Sequence, residues 1–82
     1  MSIEKISIRQ VKAARALLGW SQDALAEASG ISIPTIARLE ASDGPVGGRA
    51  ATAEAIREAL EKAGIEFTGT GTDAQGVRVK SS

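Results

Sequence analysis

Residues 22–40 read QDALAEASGISIPTIARLE, and this stretch predicts two short helices joined by a tight turn. Gly30 supplies the backbone freedom, including positive φ, that a sharp turn between helices needs. Ser32 is a favourable N-cap for the second helix, in which Ile36 and Leu39 point back onto the first. The stretch is therefore interpreted as a helix-turn-helix, and the rest of the chain must supply the core that supports it.

Length and composition restrict the class of protein. The chain has 82 residues, 43% of them hydrophobic, with one Trp and one Phe, which predicts a single domain over residues 1–82 with a thin aliphatic core. It contains no cysteine and no histidine, which excludes disulfides, thiolate or imidazole metal sites and nucleophile–histidine catalysis. We expect no enzymatic activity and no cofactor. No apolar run is long enough to cross a bilayer and no signal peptide is evident, so a cytoplasmic location is expected.

The charges balance overall but are unevenly distributed. Ten basic residues match ten acidic ones, and the sequence pI is about 6.2, which argues against a generic electrostatic coat for nucleic acid. Residues 1–20 carry four basic side chains against one acidic, whereas residues 21–66 carry eight acidic against four basic. Any DNA affinity should therefore depend on geometry and a few local contacts.

Capping residues and glycines divide the first three quarters of the chain into helices. The predicted helices cover residues 8–18, 22–29, 33–41 and 50–63. Ser7, Ser21 and Ser32 are the N-caps of the first three, and Gly19 and Gly64 end the first and the fourth. The apolar stripe expected on the fourth helix consists of Ala53, Ile56, Leu60 and Ala63. The glycine-rich stretch 42–48 is predicted to be a loop.

The last part of the chain changes from helical to alternating periodicity. Residues 65–68 and 76–80 alternate apolar and polar side chains around a glycine-rich segment, which predicts a β-hairpin. The Gly-Thr-Gly-Thr run at 69–72 is the alternative signal of a phosphate loop, but it lacks a lysine and no helix follows it. The fold class predicted is therefore mainly α, with four helices and a short C-terminal hairpin.

A helix-turn-helix places its second helix in the major groove while the first braces it across the backbone. Ile33 and Pro34 offer apolar surface that suits thymine methyl groups, whereas Arg38 can bond guanine in bidentate fashion or hold a phosphate. The candidate groove residues are Ser32, Ile33, Pro34, Thr35, Ala37 and Arg38.

Two further residues are candidates for the DNA backbone. Gln22 begins the first helix of the motif, where its backbone N–H and side-chain amide are placed to bind a phosphate, unless it is simply an exposed polar residue. Arg49 precedes the fourth helix and is a candidate for a phosphate or the adjacent minor groove, with a functionless exposed arginine as the alternative.

Arg15 and Glu40 carry charges close to the predicted core. Arg15 falls near the buried stripe of the first helix, one position after Ala14, and Glu40 follows Leu39 at the end of the third. Because a charge near a core usually has a partner, we expect a structural ion pair that fixes the third helix against the first.

The run WSQDALAEASGISIPTIARLE, residues 20–40, resembles the Cro/C1-type (XRE) helix-turn-helix family of phage repressors and bacterial regulators. Its small, glycine and aliphatic positions fall at the family's spacing. The resemblance implies a cytoplasmic bacterial or phage regulator that binds pseudo-palindromic double-stranded operators as a homodimer. It also implies the residue roles that follow: a phosphate contact by Gln22, groove contacts by Ser32, Ile33, Pro34 and Arg38, and an Arg15–Glu40 bridge.

Two positions depart from the family pattern. Ser29 stands where the family usually has an aliphatic residue, which predicts a less tightly packed turn. The recognition helix also lacks the Gln or Asn residues common in phage repressors, so no operator sequence is transferred from them.

The C-terminal hairpin leaves the biological role open between three hypotheses. The first is a transcriptional regulator, most simply a repressor, in which the hairpin packs on helix 4 or pairs with a second subunit. The second is the antitoxin of a toxin–antitoxin pair, with the hairpin as the element that binds a protein partner. The third is a protein-interaction module without DNA binding, which the neutral net charge permits.

Overall fold

The computed structural model describes residues 6–42, 46, 49–68 and 76–80. Within these ranges the elements are α1 (Ile8–Leu18), α2 (Gln22–Ser29), α3 (Ile33–Glu40), α4 (Ala50–Lys62), β1 (Ile65–Thr68) and β2 (Gly76–Val79). The two strands pair antiparallel. The predicted fold class, mainly α with a short C-terminal hairpin, is confirmed. None of the described helices has both the length and the apolar character of a membrane span.

The helix boundaries follow from capping. Ser7 Oγ accepts a hydrogen bond from the Gln10 N–H, and Gln10 Oε1 accepts one from the Ser7 N–H, so α1 begins with a reciprocal capping box. Ser21 and Ser32 each accept a backbone N–H from the first turn of α2 and α3. Gly30 ends α2 in the left-handed region at φ 75°, the conformation that the sequence predicts for the turn.

The ends of three elements differ slightly from the predicted ranges. Helix α3 ends at Glu40, with Ala41 as its C-cap, α4 ends at Lys62, with Ala63 as its C-cap, and β2 ends at Val79. The lead-in at residues 1–5, the hairpin loop at 69–75 and residues 43–45 and 47–48 of the predicted glycine-rich loop lie outside the described residues.

The core lies where the four helices meet β1. Its largest fully buried side chains are Ile8, Leu25, Ile36, Ile56, Leu60 and Ile65. On α4 the predicted stripe missed Ala59, which is buried beside Ile56 and Leu60, while the half-buried Ala53 packs against the core. Ala63 is half-buried as the C-cap. The core is therefore built from aliphatic side chains, and α3 contributes Ile36 to it.

The hairpin is part of this core. Ile65 is fully buried at the start of β1, and Phe67 and Val77, which face each other across the hairpin, pack against the core. The hairpin contacts α1 as well as α4. It is therefore tied to the helices and does not project from them.

A buried glutamine anchors the loop end of the hairpin to α1. Gln10 Nε2 donates to the carbonyl oxygens of Gly76 at 2.9 Å and Thr68 at 3.3 Å, while its Oε1 completes the α1 capping box. One amide therefore satisfies the carbonyl groups of two residues that lie 58 and 66 positions after it along the chain.

Candidate nucleic-acid interface

Helix α3 is held by one face and exposes the other. Ile36 is buried and Leu39 packs against the core, so these two side chains hold the inner face of the helix against the core. The exposed residues of its N-terminal end and outer face are Ser32, Ile33, Pro34, Ala37 and Arg38, while Thr35 is half-buried. The structure therefore brings the six sequence-predicted groove candidates together on one short helix and its N-cap.

The hydroxyl groups at the start of α3 form a directed chain. The Thr35 N–H donates to Ser32 Oγ at 3.4 Å, and the Ser32 hydroxyl donates to Thr35 Oγ1 at 2.9 Å. Because a hydroxyl has one hydrogen to give, the chain leaves the Thr35 hydroxyl hydrogen as the donor available to an acceptor outside the protein. Pro34 lies in the first turn, where its missing N–H costs no helical hydrogen bond.

Arg38 is the cation that α3 presents to solvent. Within the described part of the chain its guanidinium has no hydrogen-bond or ion-pair partner. Arg15, Arg57 and Arg78, in contrast, are each paired with a glutamate. Arg38 is therefore free to engage a base edge or a phosphate.

The turn between α2 and α3 uses the serine that departs from the family pattern. Ser29 Oγ donates to the Leu25 carbonyl oxygen at 2.7 Å and accepts the Ile31 N–H at 3.2 Å. The hydroxyl thus bonds polar groups on both sides of Gly30 where an aliphatic side chain would supply packing alone. The residue pattern did not predict these two hydrogen bonds. The signal that could have indicated them is the general tendency of serine to hydrogen-bond nearby backbone groups.

An Arg15–Glu40 ion pair joins α1 to the end of α3. Arg15 Nε donates to Glu40 Oε2 at 2.8 Å and Arg15 Nη2 donates to Glu40 Oε1 at 2.7 Å, in the bidentate geometry of the strongest such pairs. Arg15 Nη1 also donates to the Trp20 carbonyl oxygen at 2.8 Å, in the segment between α1 and α2. The side chain of Glu40 is 6% exposed and that of Arg15 is 20% exposed.

Gln22 is placed differently from the simplest prediction. Its side-chain Nε2 donates to Glu40 Oε1 at 3.0 Å, so the amide predicted for a phosphate has a partner inside the protein. The second hydrogen on Nε2 and the backbone N–H at the start of α2 are outside that bond. Sequence reasoning missed the Gln22–Glu40 contact, because the two residues are 18 positions apart and no local pattern links them.

The network controls the protonation of its two ionisable members. Burial alone would raise the pKa of Glu40, but hydrogen bonds from Arg15 and Gln22, together with the charges of Arg15 and Lys12, outweigh burial and lower that pKa below its ordinary value. The pKa of Arg15 is raised, chiefly by its hydrogen bond to Glu40. Both groups are therefore charged at neutral pH.

Arg49 lies apart from this network. It is the exposed N-cap of α4, and its side chain makes no capping hydrogen bond. Among the described residues no hydrogen bond or ion pair joins it to α3. The structure therefore shows an exposed cation at a helix N-terminus, and its predicted contact with DNA remains a prediction.

Comparison with known protein families identifies the family to which this helical fold belongs. A family model described as helix-turn-helix matches residues 11–62, which is more than half of the chain. The chain belongs to the Cro/C1-type (XRE) helix-turn-helix family. Its members are DNA-binding regulators, so this XRE-family chain is a DNA-binding helix-turn-helix regulator. The match begins inside α1, ends with α4 and leaves the hairpin outside. A search of curated proteins found no match.

Proposed function

We propose that this XRE-family protein is a sequence-specific transcriptional repressor that places α3 in the major groove of its operator. The observation that supports this most directly is the exposure of the N-cap and outer face of α3, with the unpartnered guanidinium of Arg38 among the described residues. A groove-reading helix needs such a surface, fixed from behind by a core.

The chemistry of this surface suggests a division of contacts. Ile33 and Pro34 present apolar atoms that suit thymine methyl groups, and Arg38 suits the two acceptors on the major-groove edge of guanine. Gln22 and Arg49 contact phosphates at the N-termini of α2 and α4. Because the net charge of the chain is zero, specificity depends on these few contacts more than on a general attraction to DNA.

The protein acts as a homodimer on a pseudo-palindromic operator, and the hairpin is the proposed contact. Lys80 N–H donates to the Gly64 carbonyl oxygen at 2.7 Å, so these two residues form a hydrogen-bonded pair of the antiparallel ladder. Hydrogen-bonded and non-hydrogen-bonded pairs alternate along such a ladder. The backbone N–H and C=O groups of Val77 and Val79 therefore point away from β1, toward the outer edge of β2. The Val79 side chain is 49% exposed, although it lies opposite the fully buried Ile65. Among the described residues no further strand pairs with β2, and an unpaired strand edge with exposed apolar surface favours pairing with another strand.

The dimer contact is tested by sedimentation velocity of two matched variants. Val79→Asp places a charge on the proposed contact, and Leu17→Asp places one on α1 at a side chain that is 50% exposed. We expect Val79→Asp to sediment as a monomer and Leu17→Asp to sediment like the unmodified dimer. A dimer that survives Val79→Asp would show that the subunits meet elsewhere.

The experiment that tests DNA binding is selection of bound duplexes from a random pool. We expect a two-fold symmetric sequence with two half-sites about one helical turn apart, since a dimer presents two copies of α3. Affinity for the selected duplex should fall with salt, with each phosphate contact adding about −0.9 to the slope of log K against log salt. No enrichment, or affinity that does not change with salt, would refute the proposal and favour a protein-interaction module.

Repression is tested with the selected operator in a cellular reporter. An operator that overlaps the promoter should lower reporter expression when the protein is present, and a scrambled operator should not. Increased expression would identify an activator instead. Because its target is DNA, we place the protein in the cytoplasm of a bacterial or phage-infected cell.

A further inference from the structure

The carboxylate of Glu40 connects three elements of the DNA-binding unit. Oε1 accepts hydrogen bonds from Arg15 Nη2 and from Gln22 Nε2, while Oε2 accepts one from Arg15 Nε. The end of α3 is thereby bonded to α1 and to the first residue of α2. Arg15 alone would complete an ion pair, so the bond to Gln22 is an additional feature that pairing does not require.

The bond to Glu40 restricts the Gln22 side chain. A carboxylate can only accept, so the amide must face it with nitrogen and cannot turn its oxygen toward it. Gln22 occupies the first position of α2, so the backbone N–H groups of Gln22 and Asp23 have no hydrogen-bond acceptor within the helix. Ser21 Oγ and the Ser21 carbonyl oxygen bond the next two N–H groups, those of Ala24 and Leu25.

The charge balance around Glu40 is compatible with a nearby phosphate. An unpaired carboxylate beside a phosphate would repel it, but the guanidinium of Arg15 bonds both oxygens of Glu40 and offsets its charge. Glu40 can therefore hold the Gln22 amide without repelling an anion from the N-terminus of α2.

We propose that Glu40 is a positioning residue for DNA binding: it holds the Gln22 amide at the N-terminus of α2 so that the remaining N–H of Nε2 meets an operator phosphate. Glu40 itself touches no DNA in this arrangement. It links the groove-reading helix to the backbone contact, so that α3 and the phosphate anchor keep a fixed spacing. The inference rests on the operator binding proposed above.

The test is a double-mutant cycle on operator affinity, measured by fluorescence anisotropy with the selected duplex. The double variant Arg15→Met, Glu40→Leu removes the acceptor for Gln22 and replaces the ion pair by apolar side chains, a change that folds well in other buried pairs. Gln22→Ala removes the amide itself. We expect Gln22→Ala to weaken binding roughly tenfold, the effect of one charge-assisted hydrogen bond, and the double variant to weaken it by roughly three- to tenfold.

The combination of the variants separates positioning from a general structural effect. If Glu40 acts through Gln22, the double variant should cause no further loss of affinity in the Gln22→Ala background. An equal loss in both backgrounds, or no loss in either, would overturn the inference while leaving DNA binding intact. Failure of the unmodified protein to bind any selected duplex would overturn the proposed function as well.

A second variant keeps the test decisive if the double variant does not fold. Gln22→Asn retains an amide but shortens the side chain by one methylene, so it cannot bond Glu40 from the same position. We expect it to weaken binding as much as Gln22→Ala does. Binding equal to that of the unmodified protein would show that the contact with Glu40 is not needed to position the amide.

Discussion

Replacing Arg15 with methionine should lower the free energy of unfolding by about 2–4 kcal/mol. The variant removes two charge-assisted hydrogen bonds to Glu40 and the bond to the Trp20 carbonyl oxygen, and it leaves the 6%-exposed Glu40 with only the Gln22 amide. Loss of one partner of a fully buried pair costs about 3–5 kcal/mol. We place this value somewhat lower because Arg15 is 20% exposed and water can replace part of what is lost.

The assay is urea unfolding followed by circular dichroism, with Arg57→Met as the matched control. Arg57 pairs with Glu61 one turn along α4, but the two side chains are 32% and 42% exposed. An exposed i, i+4 pair contributes about 0.3–0.5 kcal/mol. The two variants remove the same side chain in favour of the same replacement, so the difference between their free energies of unfolding reports the bonds and the burial of the Arg15–Glu40 pair.

Two results would refute this reasoning. If Arg15→Met and Arg57→Met lose the same free energy within about 0.5 kcal/mol, the Arg15–Glu40 pair does not stabilise α3 against α1. If adding Glu40→Leu to Arg15→Met fails to recover stability, the loss does not come from an unpaired buried carboxylate, because removing that carboxylate should restore most of the free energy.

Three further predictions concern pH, the hairpin and the turn. Because the folded-state pKa of Glu40 is lowered, its contribution to stability is present above the ordinary glutamate pKa of about 4.3 and is lost as the pH falls through the folded-state value; unfolding by urea between pH 7 and pH 3 should show this loss, and Glu40→Gln should reduce it. Gln10→Ala should lower the hydrogen-exchange protection of the β1 and β2 amides by about 1–3 kcal/mol while α2 and α3 change less, and uniform loss across the chain would contradict an anchoring role. Gly30→Ala should cost about 1–2 kcal/mol in thermal unfolding from the positive φ alone, since an added Cβ meets nothing within 4 Å, and an unchanged melting temperature would contradict it.

The local sequence signals predicted the elements well because each carries its own physical cause. Ser7, Ser21 and Ser32 accept first-turn N–H groups in the structure, and Gly19 and Gly30 end their helices at positive φ. These are short-range effects, so a single sequence reveals them. The change to alternating periodicity after Gly64 predicted the hairpin for the same reason.

Contacts between distant parts of the chain were harder to predict. The Ser-Ile-Arg-Gln order at residues 7–10 indicates a capping box, but no sequence pattern indicates that the same glutamine also bonds Gly76. Likewise, the charge on Glu40 suggests a partner and Arg15 is a suitable one, whereas the bond from Gln22 depends on where α2 begins relative to the end of α3. Such contacts depend on tertiary packing, which periodicity and capping do not specify.

The most direct test of the central claim, that α3 reads operator DNA, is the binding specificity of Arg38→Ala. Affinity for the selected operator should fall about 5- to 150-fold, the effect of one bidentate base contact. Affinity for an unrelated duplex should fall much less, so the ratio between the two affinities decreases. Arg57→Ala, which removes an exposed arginine from α4, should leave discrimination unchanged. If Arg38→Ala discriminates between the two duplexes as well as the unmodified protein does, Arg38 does not read the operator and the placement of α3 in the groove is contradicted.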